Sequence, residues 1–466
     1  MLTRLRVQGF KNLVDLEVRF GPFTCMAGLN ATGKSNVFDA ISFLHWLTQR
    51  PIMEAVQLVR ETKGRAPEPA ELFTKFEGYT APEMRFTAEV IVERNVADDF
   101  GVKAEAAIST LRYEVAFRLS QDDPGILELA DESLSPIRIS EASRTIAFKH
   151  SRVFRESVVG GRRVRSFISG SGEWPNRVLT VHQEGHGGRK LLAPKSSRTV
   201  LGGMANADFP TVLAAHKEMA SWRTLLLEPS AMRTPSLYRD PRYLDARGAN
   251  LPNAVDRLIK QEKTPGQVCA ELANRLSRLV DDVRGLRIVD DGRFETKTLE
   301  VLGRDGVYHA ARSLSDGTLR FLVLAALELD PEVRGIVCLE EPENGIHPER
   351  IETMVQLLKD TAVDAHYAVG ADNPLRQVVV NTHSPLVVQN VSVDDLVYLE
   401  EEQVARNGSR GRVAALYVPR GSWRARSAAD KARLAAGRIL AYLGKGKVSE
   451  QEQRWFEWAK QETGAH

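Results

Sequence analysis

Cysteine is scarce in this sequence. Its 466 residues include three cysteines, Cys25, Cys269 and Cys338, which stand far apart in apolar segments. A disulfide framework needs more cysteines, and a zinc-type site needs ligands at closer spacing. We therefore expect three small core side chains in a protein kept reduced, with no disulfide scaffold and no cysteine-bound metal.

Long apolar runs and a dominant sign of charge are also lacking. The strongest apolar run, residues 321–329, is too short to cross a membrane, and the first residues do not resemble a leader peptide. The 63 Lys and Arg residues nearly balance the 61 Asp and Glu residues. We expect a cytoplasmic protein without membrane contact, in which any nucleic-acid binding depends on a local basic surface. No sustained heptad pattern is present, which argues against a long coiled-coil arm.

A phosphate-binding loop is the clearest feature that the sequence does contain. Residues 28–35, GLNATGKS, fit the pattern G-x-x-x-x-G-K-[ST] at every fixed position. An apolar segment precedes the loop, and apolar residues at helical spacing follow it. Backbone N–H groups and the helix dipole then point at one place, where phosphate is the natural ligand. The predicted nucleotide contacts are Gly28, Asn30, Ala31, Thr32, Gly33, Lys34, Ser35 and Asn36.

Within this pattern, Lys34 is expected to reach the β- and γ-phosphates and Ser35 to ligate Mg²⁺. Lys11 and Asn12 form the bend between the first two predicted strands, close in sequence to the loop. They are candidates for a nucleotide contact, although a solvated turn fits the same residues equally well.

A second group of motifs lies between residues 311 and 385. Ser315 and Gly317 stand just before the apolar helix predicted over 319–329, and this second helix N-terminus also suits an anion. A buried strand over 335–339 ends in two adjacent carboxylates, Glu340 and Glu341, which are costly there unless they are paired or functional.

One carboxylate of this pair can hold the water shell of Mg²⁺, while its neighbour polarises the attacking water. His383 follows a further buried strand, over 377–380. At that place an imidazole can hydrogen-bond a γ-phosphate.

The remaining chain has a simple predicted layout. Residues 50–80 are expected to form a loop, 84–200 an antiparallel meander, 208–284 helices, 288–308 short strands, and the tail from 428 a helix. Ten Lys and Arg residues between 152 and 198 outnumber the nearby acids. They contact phosphates of DNA or RNA or an acidic protein, or they form a solvated strand face.

Taken in order, these motifs resemble the ABC-type ATPases of the RecF, SMC and OLD group, and in particular a short bacterial branch of predicted ATPases without long coiled coils. ATPases of phage-defence systems of the PARIS and Septu kinds have a similar layout. Residues 28–35 correspond to the Walker A loop, 314–318 to the signature, the strand ending in Glu340 and Glu341 to Walker B, and His383 to the switch histidine. Glu340 stands where the family usually has aspartate, and the resemblance implies that it serves Mg²⁺ together with Ser35.

The resemblance implies an α/β fold: an ABC-type P-loop ATPase head with a mixed sheet, an antiparallel β subdomain and a helical subdomain. It implies a homodimer in which two heads sandwich two ATP molecules with Mg²⁺. Lys34 and Ser35 of one subunit and Ser315 and Gly317 of the other would hold each nucleotide. Glu341 would orient water and His383 sense the γ-phosphate, while Asn344 would lie in the loop that crosses the interface.

Two functions follow as hypotheses, while the signature sequence and the long β-rich insertion argue against a third, the nucleotide-binding subunit of a transporter. The first is an ATPase whose dimer closure acts on DNA or on a separate effector, such as a nuclease or toxin, in phage defence or DNA repair. The second is a slow, ATP-locked scaffold that sequesters a toxin or sensor. Both hypotheses allow an assembly larger than a dimer. The expected divisions are residues 1–205, with Walker A and the meander; 206–310, helical; 311–420, with the later motifs; and 421–466, a helical tail.

Overall fold

The computed structural model describes residues 1–60, 67–138, 145–163, 165–183, 188–262, 264, 266–280, 283–406, 409–426 and 432–434. Its strands, in chain order, are β1 (Leu2–Phe10), β2 (Leu13–Arg19), β3 (Phe23–Ala27), β4 (Lys75–Phe76), β5 (Tyr79–Thr80), β6 (Met84–Ile91), β7 (Asn95–Ala97), β8 (Lys103–Glu105), β9 (Thr110–Leu119), β10 (Leu127–Pro136), β11 (Ile168–Ser171), β12 (Val178–His182), β13 (Gly188–Leu192), β14 (Arg223–Leu225), β15 (Ser236–Leu237), β16 (Gly285–Asp291), β17 (Thr296–Leu302), β18 (Tyr308–Ala310), β19 (Gly335–Glu340), β20 (Arg376–Thr382), β21 (Leu396–Arg406), β22 (Ser409–Pro419) and β23 (Arg433–Leu434).

The α-helices within these residues are α1 (Lys34–Gln49), α2 (Ile52–Gln57), α3 (Arg152–Val158), α4 (Val200–Gly203), α5 (Pro210–Ala220), α6 (Pro229–Met232), α7 (Leu251–Gln261), α8 (Gln267–Ser277), α9 (Asp316–Leu329), α10 (Ile351–Thr361) and α11 (Pro385–Gln389).

A seven-stranded mixed sheet carries the candidate site, in the order β14-β19-β20-β3-β21-β22-β23. The strands from β14 to β21 in this order are parallel, and β22 pairs antiparallel with β21. Every residue of β3 and β20 is buried, as expected for strands covered on both faces. Because β19, β20 and β3 are parallel neighbours, the loops that follow them meet at one edge.

An eight-stranded antiparallel sheet, in the order β13-β12-β11-β10-β9-β6-β1-β2, lies against the other side of α1. It confirms the meander predicted over 84–200 except at α3, which is helical, and the first hairpin of the chain extends the sheet. Phe43 of α1 packs on Phe86 and Phe117, with ring centroids 5.6 and 5.5 Å apart. The helix that follows the phosphate loop is therefore fixed between two sheets.

The outer face of this antiparallel sheet carries ion pairs between neighbouring strands. Glu89, for example, pairs with both Arg4 and Arg112, each at 2.9 Å. Within the basic segment 152–198, Arg177 pairs with Asp131 at 2.9 Å and Arg152 with Glu156 at 2.6 Å. The counter-ion of Arg177 favours the solvated strand face for that residue. Arg152 lies in α3 and not on a strand, and its partner Glu156 belongs to the same helix.

A small sheet, β15-β17-β16 with β18 beside β17, packs with α7, α8 and α9 around a second core. It confirms the short strands predicted over 288–308. Buried Arg376 joins this part to the central sheet, because its guanidinium donates to the backbone oxygens of Leu327, Glu328, Asp330 and Val333. The end of α9 is thereby tied to the beginning of β20.

Two local predictions are wrong. α2 lies within 50–80, where we expected only a loop. Arg433–Leu434 pairs with β22 as a strand instead of beginning a helix, which shows tertiary pairing overriding a local helical pattern. Residues 428–431 and 435–466 of the predicted tail lie outside the described residues. In the described part of the chain, no helix is long and apolar enough to span a membrane.

Candidate functional site

The phosphate loop runs from the end of β3 to the first residue of α1. Gly28 and Gly33 have φ angles of 154° and 99°, a region that favours glycine. A Cβ at Gly28 would lie 2.3 Å from the backbone oxygen of Leu399. Ala31 also has a positive φ, 66°, and it lies with Asn30 at the exposed tip of the loop. The backbone shape that the sequence pattern requires is therefore present.

Lys34 lies inside this loop. Its Nζ donates to the backbone oxygens of Gly28 and Leu29, both at 2.7 Å, and Thr32 Oγ1 donates to the same Leu29 oxygen at 2.9 Å. Burial lowers the pKa of the Lys34 ammonium, against the attraction of nearby carboxylates that include Glu341. Ser35, half-buried, is the second residue of α1.

Asn12 and Lys11 approach this loop from the first hairpin. Asn36 Nδ2 donates to Asn12 Oδ1 at 2.7 Å, and a Cβ at Gly33 would lie 2.8 Å from the Asn12 amide. Lys11 Nζ forms an ion pair of 2.6 Å with Asp39 of α1. Asn12 is thus part of the wall of the loop, whereas the ammonium of Lys11 is engaged with a protein carboxylate.

Glu340, the last residue of β19, forms an ion pair with Arg60. Arg60 Nε also donates to Asp39 Oδ1 at 3.0 Å, so Arg60 joins the strand end to α1. Burial raises the pKa of the Glu340 carboxyl, and the charge of Arg60 opposes that rise. The carboxylate that we predicted for the metal therefore has a cationic partner within the protein.

Glu341 is held from three sides. His383 Nδ1 donates to Oε1 at 2.7 Å, and Asn344 Nδ2 donates to Oε2 at 2.9 Å. Its backbone N–H donates a hydrogen bond to the side-chain oxygen of Asn381 at 3.1 Å. The backbone of Glu341 has a positive φ of 44°. Burial acts to raise the pKa of Glu341, but the hydrogen bonds from Asn344 and His383 leave it below its usual value. The carboxylate is thus ionised, oriented and about one-third exposed.

The signature residues begin α9. Ser315 is the N-cap, and its Oγ accepts from the backbone N–H of Thr318 at 3.2 Å. A Cβ at Gly317 would lie 2.3 Å from the backbone oxygen of Gly345. Arg233, which directly follows α6, donates to the backbone oxygen of Leu314 at 3.0 Å and to Asp316. The N-terminus of α9 is consequently packed against the turn that contains Asn344.

The structure brings Lys34, Glu340, Glu341 and His383 to the shared carboxyl edge of β3, β19 and β20. Asn344 joins them through Glu341. Ser315 and Gly317 lie beside the Asn344 turn, and no hydrogen bond or ion pair among the described residues connects them to the phosphate loop of the same chain.

Four residues of this region were missed by sequence reasoning. Asp39 occupies a helical position that looks like core, and Arg60 and Arg233 lie in segments without a recognisable pattern. Glu343 had a signal, since it stands two residues after Glu341 in a segment that follows a buried strand. The residue is 7% exposed, and its side chain accepts from the hydroxyl of Thr382.

Parallel strands that end in a phosphate loop, an acidic pair and a histidine, together with a helix that begins at a Ser-Asp-Gly loop, define an ABC-type P-loop ATPase head. Residues 23–389 match the family model described as "AAA domain, putative AbiEii toxin, Type IV TA system". The match spans more than half of the 466 residues, and the chain belongs to this family.

Similar solved structures are heads of SMC proteins. A structure of the SMC head bound to the C-winged helix domain of ScpA is 13% identical, with a TM-score of 0.47, over 89% of this chain and 97% of that one. The SMC head domain from Thermotoga maritima is 12% identical, with a TM-score of 0.38, over 90% and 98%. An SMC head with an extended coiled coil, bound to the C-terminal domain of ScpA derived from Pyrococcus furiosus, is 13% identical, with a TM-score of 0.42, over 89% and 96%. No curated protein matches the chain.

Proposed function

We propose that this protein binds and hydrolyses ATP with Mg²⁺, in a dimer whose closure depends on the bound nucleotide. The observation that carries the proposal is the carboxylate of Glu341, fixed by His383 and Asn344 at the strand edge where Lys34 also lies. An ionised, oriented and accessible carboxylate beside a phosphate loop is the arrangement that water activation for phosphoryl transfer requires.

The phosphate loop fits a polyphosphate. Positive φ angles at Gly28 and Gly33 open its backbone, and α1 begins directly at Lys34. Lys34 Nζ bonds two loop carbonyls, and it can exchange them for phosphate oxygens without leaving the loop. Backbone N–H groups, the helix dipole and one ammonium then neutralise the ligand together.

The donor set also fits Mg²⁺, which keeps several waters and needs few protein ligands. Ser35 and Glu340 would hold the ion, with Arg60 as the competing cation at Glu340. When bound, the ion supplies charge neutralisation and orientation to the phosphates. Glu341 accepts a proton from the attacking water, and His383 keeps that carboxylate oriented and faces the γ-phosphate.

The signature loop supports a two-chain site. Ser315 is exposed at the start of α9, and Gly317 lies against Gly345. A helix of this length has the positive end of its dipole at this N-terminus. We infer that this end caps the nucleotide of a second copy, which makes each site of the homodimer composite. Lys11, released from Asp39, would be available to the nucleotide at the phosphate loop of its own chain.

The ATPase cycle can serve two functions. In the first, closure acts on DNA or RNA, or on an effector such as a nuclease or toxin, in phage defence or DNA repair. In the second, the closed dimer is a slow scaffold that sequesters a toxin or sensor. The word "toxin" in the family description is compatible with either. Basic residues of 152–198 other than Arg152 and Arg177 are the candidates for nucleic-acid contact.

Measurement of steady-state ATP turnover tests the proposal and distinguishes these two functions. Purified protein is assayed for phosphate release with Mg²⁺ and ATP, alone and with duplex or single-stranded DNA. Turnover that DNA stimulates supports the first function. Slow turnover that is insensitive to DNA, together with a stable dimer in ATP, supports the second function. Absence of both ATP binding and turnover contradicts the proposal.

A further inference from the structure

Glu343 is a carboxylate buried directly beneath the candidate site. The residue is 7% exposed, and its Oε1 accepts a hydrogen bond from Thr382 Oγ1. The other oxygen, Oε2, is buried and has no hydrogen-bond partner in the described part of the chain. A buried carboxyl group with one unsatisfied oxygen costs free energy of folding, so its presence calls for a function.

The hydroxyl of Thr382 relays this contact to the histidine loop. Thr382 is fully buried at the end of β20, and its Oγ1 accepts from the backbone N–H of Ser384 at 2.9 Å. These two hydrogen bonds fix the residues on either side of His383, Thr382 and Ser384. Glu343 therefore determines the path of the short segment that turns from β20 into α11 and carries the imidazole.

His383 itself has little other support. Its side chain is 42% exposed, and its one side-chain hydrogen bond among the described residues is the bond to Glu341. Glu341 and Glu343 belong to the same turn after β19, where the N–H of Asn344 bonds the backbone oxygen of Glu341 and that of Ile346 the oxygen of Glu343. One turn thus carries both Glu341, which bonds the imidazole of His383, and Glu343, which anchors the loop that contains His383.

Burial and the nearby cations act in opposite directions on the pKa of the Glu343 carboxyl group. Burial raises its pKa, and neighbouring Glu341 raises it further, while the hydrogen bond from Thr382 and the charge of His383 act in the opposite sense. Lys34 and Arg320 also face this carboxyl group electrostatically. Glu343 cannot replace Glu341 as the base, because it is closed off from solvent.

We propose that Glu343 is a positioning residue that, through the Thr382 hydroxyl, holds His383 against Glu341. The proposal rests on the proposed ATPase function for its kinetic consequence, but the placement of His383 can be measured without nucleotide. It predicts that an acceptor at position 343 is required, and that a negative charge there is not.

The test compares Glu343→Gln, Glu343→Ala and Thr382→Val with wild type and with Glu349→Ala. Gln keeps an acceptor for the Thr382 hydroxyl without the charge, Ala removes the acceptor, and Val removes the hydroxyl at nearly constant volume. Glu349 is a matched control, since its side chain is 84% exposed. Circular dichroism confirms that each variant is folded, and Thr382→Val addresses the same contact if Glu343→Ala does not fold.

The first readout is the ¹⁵N-histidine spectrum of nucleotide-free protein, with His383 assigned by His383→Gln. We expect the His383 signals to move toward those of a solvated imidazole in Glu343→Ala and Thr382→Val, and to stay near wild type in Glu343→Gln and Glu349→Ala. In turnover assays, kcat should fall about 10- to 100-fold in Glu343→Ala and Thr382→Val, with KM within about twofold.

The outcomes distinguish the two proposals. If wild type does not hydrolyse ATP, the proposed function fails, and the spectrum alone still decides the placement of His383. If wild type hydrolyses ATP but Glu343→Ala and Thr382→Val keep its His383 signals and kcat, the role of Glu343 is refuted. A Glu343→Gln variant as impaired as Glu343→Ala would also refute it, because the charge and not the acceptor would then be what matters.

Discussion

The guanidinium of Arg60 forms an ion pair with the carboxylate of Glu340, although 280 positions separate the two residues in the sequence. Asp39 accepts from the same guanidinium at 3.0 Å and pairs with Lys11 at 2.6 Å. Two cations and two carboxylates thus form a nearly neutral cluster at the edge of the site. Any Mg²⁺ bound at Glu340 competes with Arg60 for the same carboxylate.

Arg60→Ala should destabilise the nucleotide-free protein by about 1–2 kcal/mol, because it leaves Glu340 without its counter-ion at a partly buried position. Millimolar Mg²⁺ should recover part of the loss, since the ion supplies the missing positive charge. Thermal unfolding with and without Mg²⁺ measures both effects. Arg6→Ala is the control, because Arg6 and Asp15 form an exposed pair for which we expect little loss and no response to Mg²⁺. A Mg²⁺ response equal to that of wild type would argue against Glu340 as a metal ligand.

Lys34→Ala should weaken ATP binding about 100-fold or more, because removal of the ammonium sacrifices charge-assisted bonds worth about 3 kcal/mol. Calorimetry with ATP and Mg²⁺ measures the affinity. Lys149→Ala removes a lysine whose side chain is 77% exposed, and it should leave the affinity unchanged. Wild-type affinity in Lys34→Ala would disprove the assignment of the phosphate loop.

Glu341→Gln should retain ATP binding but lose turnover by about 100-fold or more, since an amide cannot accept the proton of the attacking water. Slow turnover should let the closed dimer accumulate, which size-exclusion chromatography in ATP detects. Glu349→Gln serves as the control at an exposed carboxylate. A variant that remains a monomer in ATP with intact turnover would contradict both the composite site and the role of Glu341.

Gly317→Ala tests the contact between the signature helix and the Asn344 turn. The new methyl group would lie 2.3 Å from the Gly345 oxygen, so the turn or the helix must move. We expect a loss of about 1–3 kcal/mol in the free energy of unfolding and weaker dimer formation in ATP. At Gly370 a Cβ would meet nothing within 4 Å, and Gly370→Ala should behave as wild type in urea unfolding and in chromatography. Equal behaviour of the two variants would show that the contact is unimportant.

Sequence reasoning predicted the parts of the site that depend on local spacing. The loop around Lys34 and the strand ends at Glu341 and His383 can be read from short patterns, because glycine geometry and buried strands leave local marks. The partners of these residues depend on long-range contacts. Arg60 meets Glu340 across 280 positions, and Thr382 meets Glu343 across 39, so no local pattern could identify either pair.

The same distinction applies to the sheets. Alternation predicted the meander over 84–200, but it could not show that β1 and β2 join the far edge of that sheet instead of the sheet that holds β3. Strand order depends on which apolar faces pack together, and here Phe10 and Phe43 contribute to one core with Phe86. Helical periodicity failed at Arg433–Leu434 because an available strand edge on β22 determines the conformation there.

Glu132 provides a pH-dependent test of the core. This fully buried carboxyl group accepts from the backbone N–H groups of Val200 and Leu201 at 2.6 and 2.8 Å and from the hydroxyl of Tyr113 at 3.0 Å. Burial raises its pKa to about 7, while the backbone hydrogen bonds oppose the rise. Between its ordinary pKa of about 4.3 and pH 7, the folded protein therefore binds more protons at Glu132 than the unfolded chain does.

The stabilisation that Glu132 contributes is thus fully present below the pKa that Glu132 has in the unfolded chain, and it declines as the pH rises toward 7. Glu132→Gln lacks the titration, so the stability of wild type relative to this variant should fall by about 1–3 kcal/mol from pH 5 to pH 8. Urea unfolding of both proteins at several pH values measures the difference, and changes in other titrating groups cancel in the comparison. A constant difference across this range would mean that Glu132 is already ionised in the folded protein at pH 5, and that the bonds from Val200, Leu201 and Tyr113 outweigh its burial.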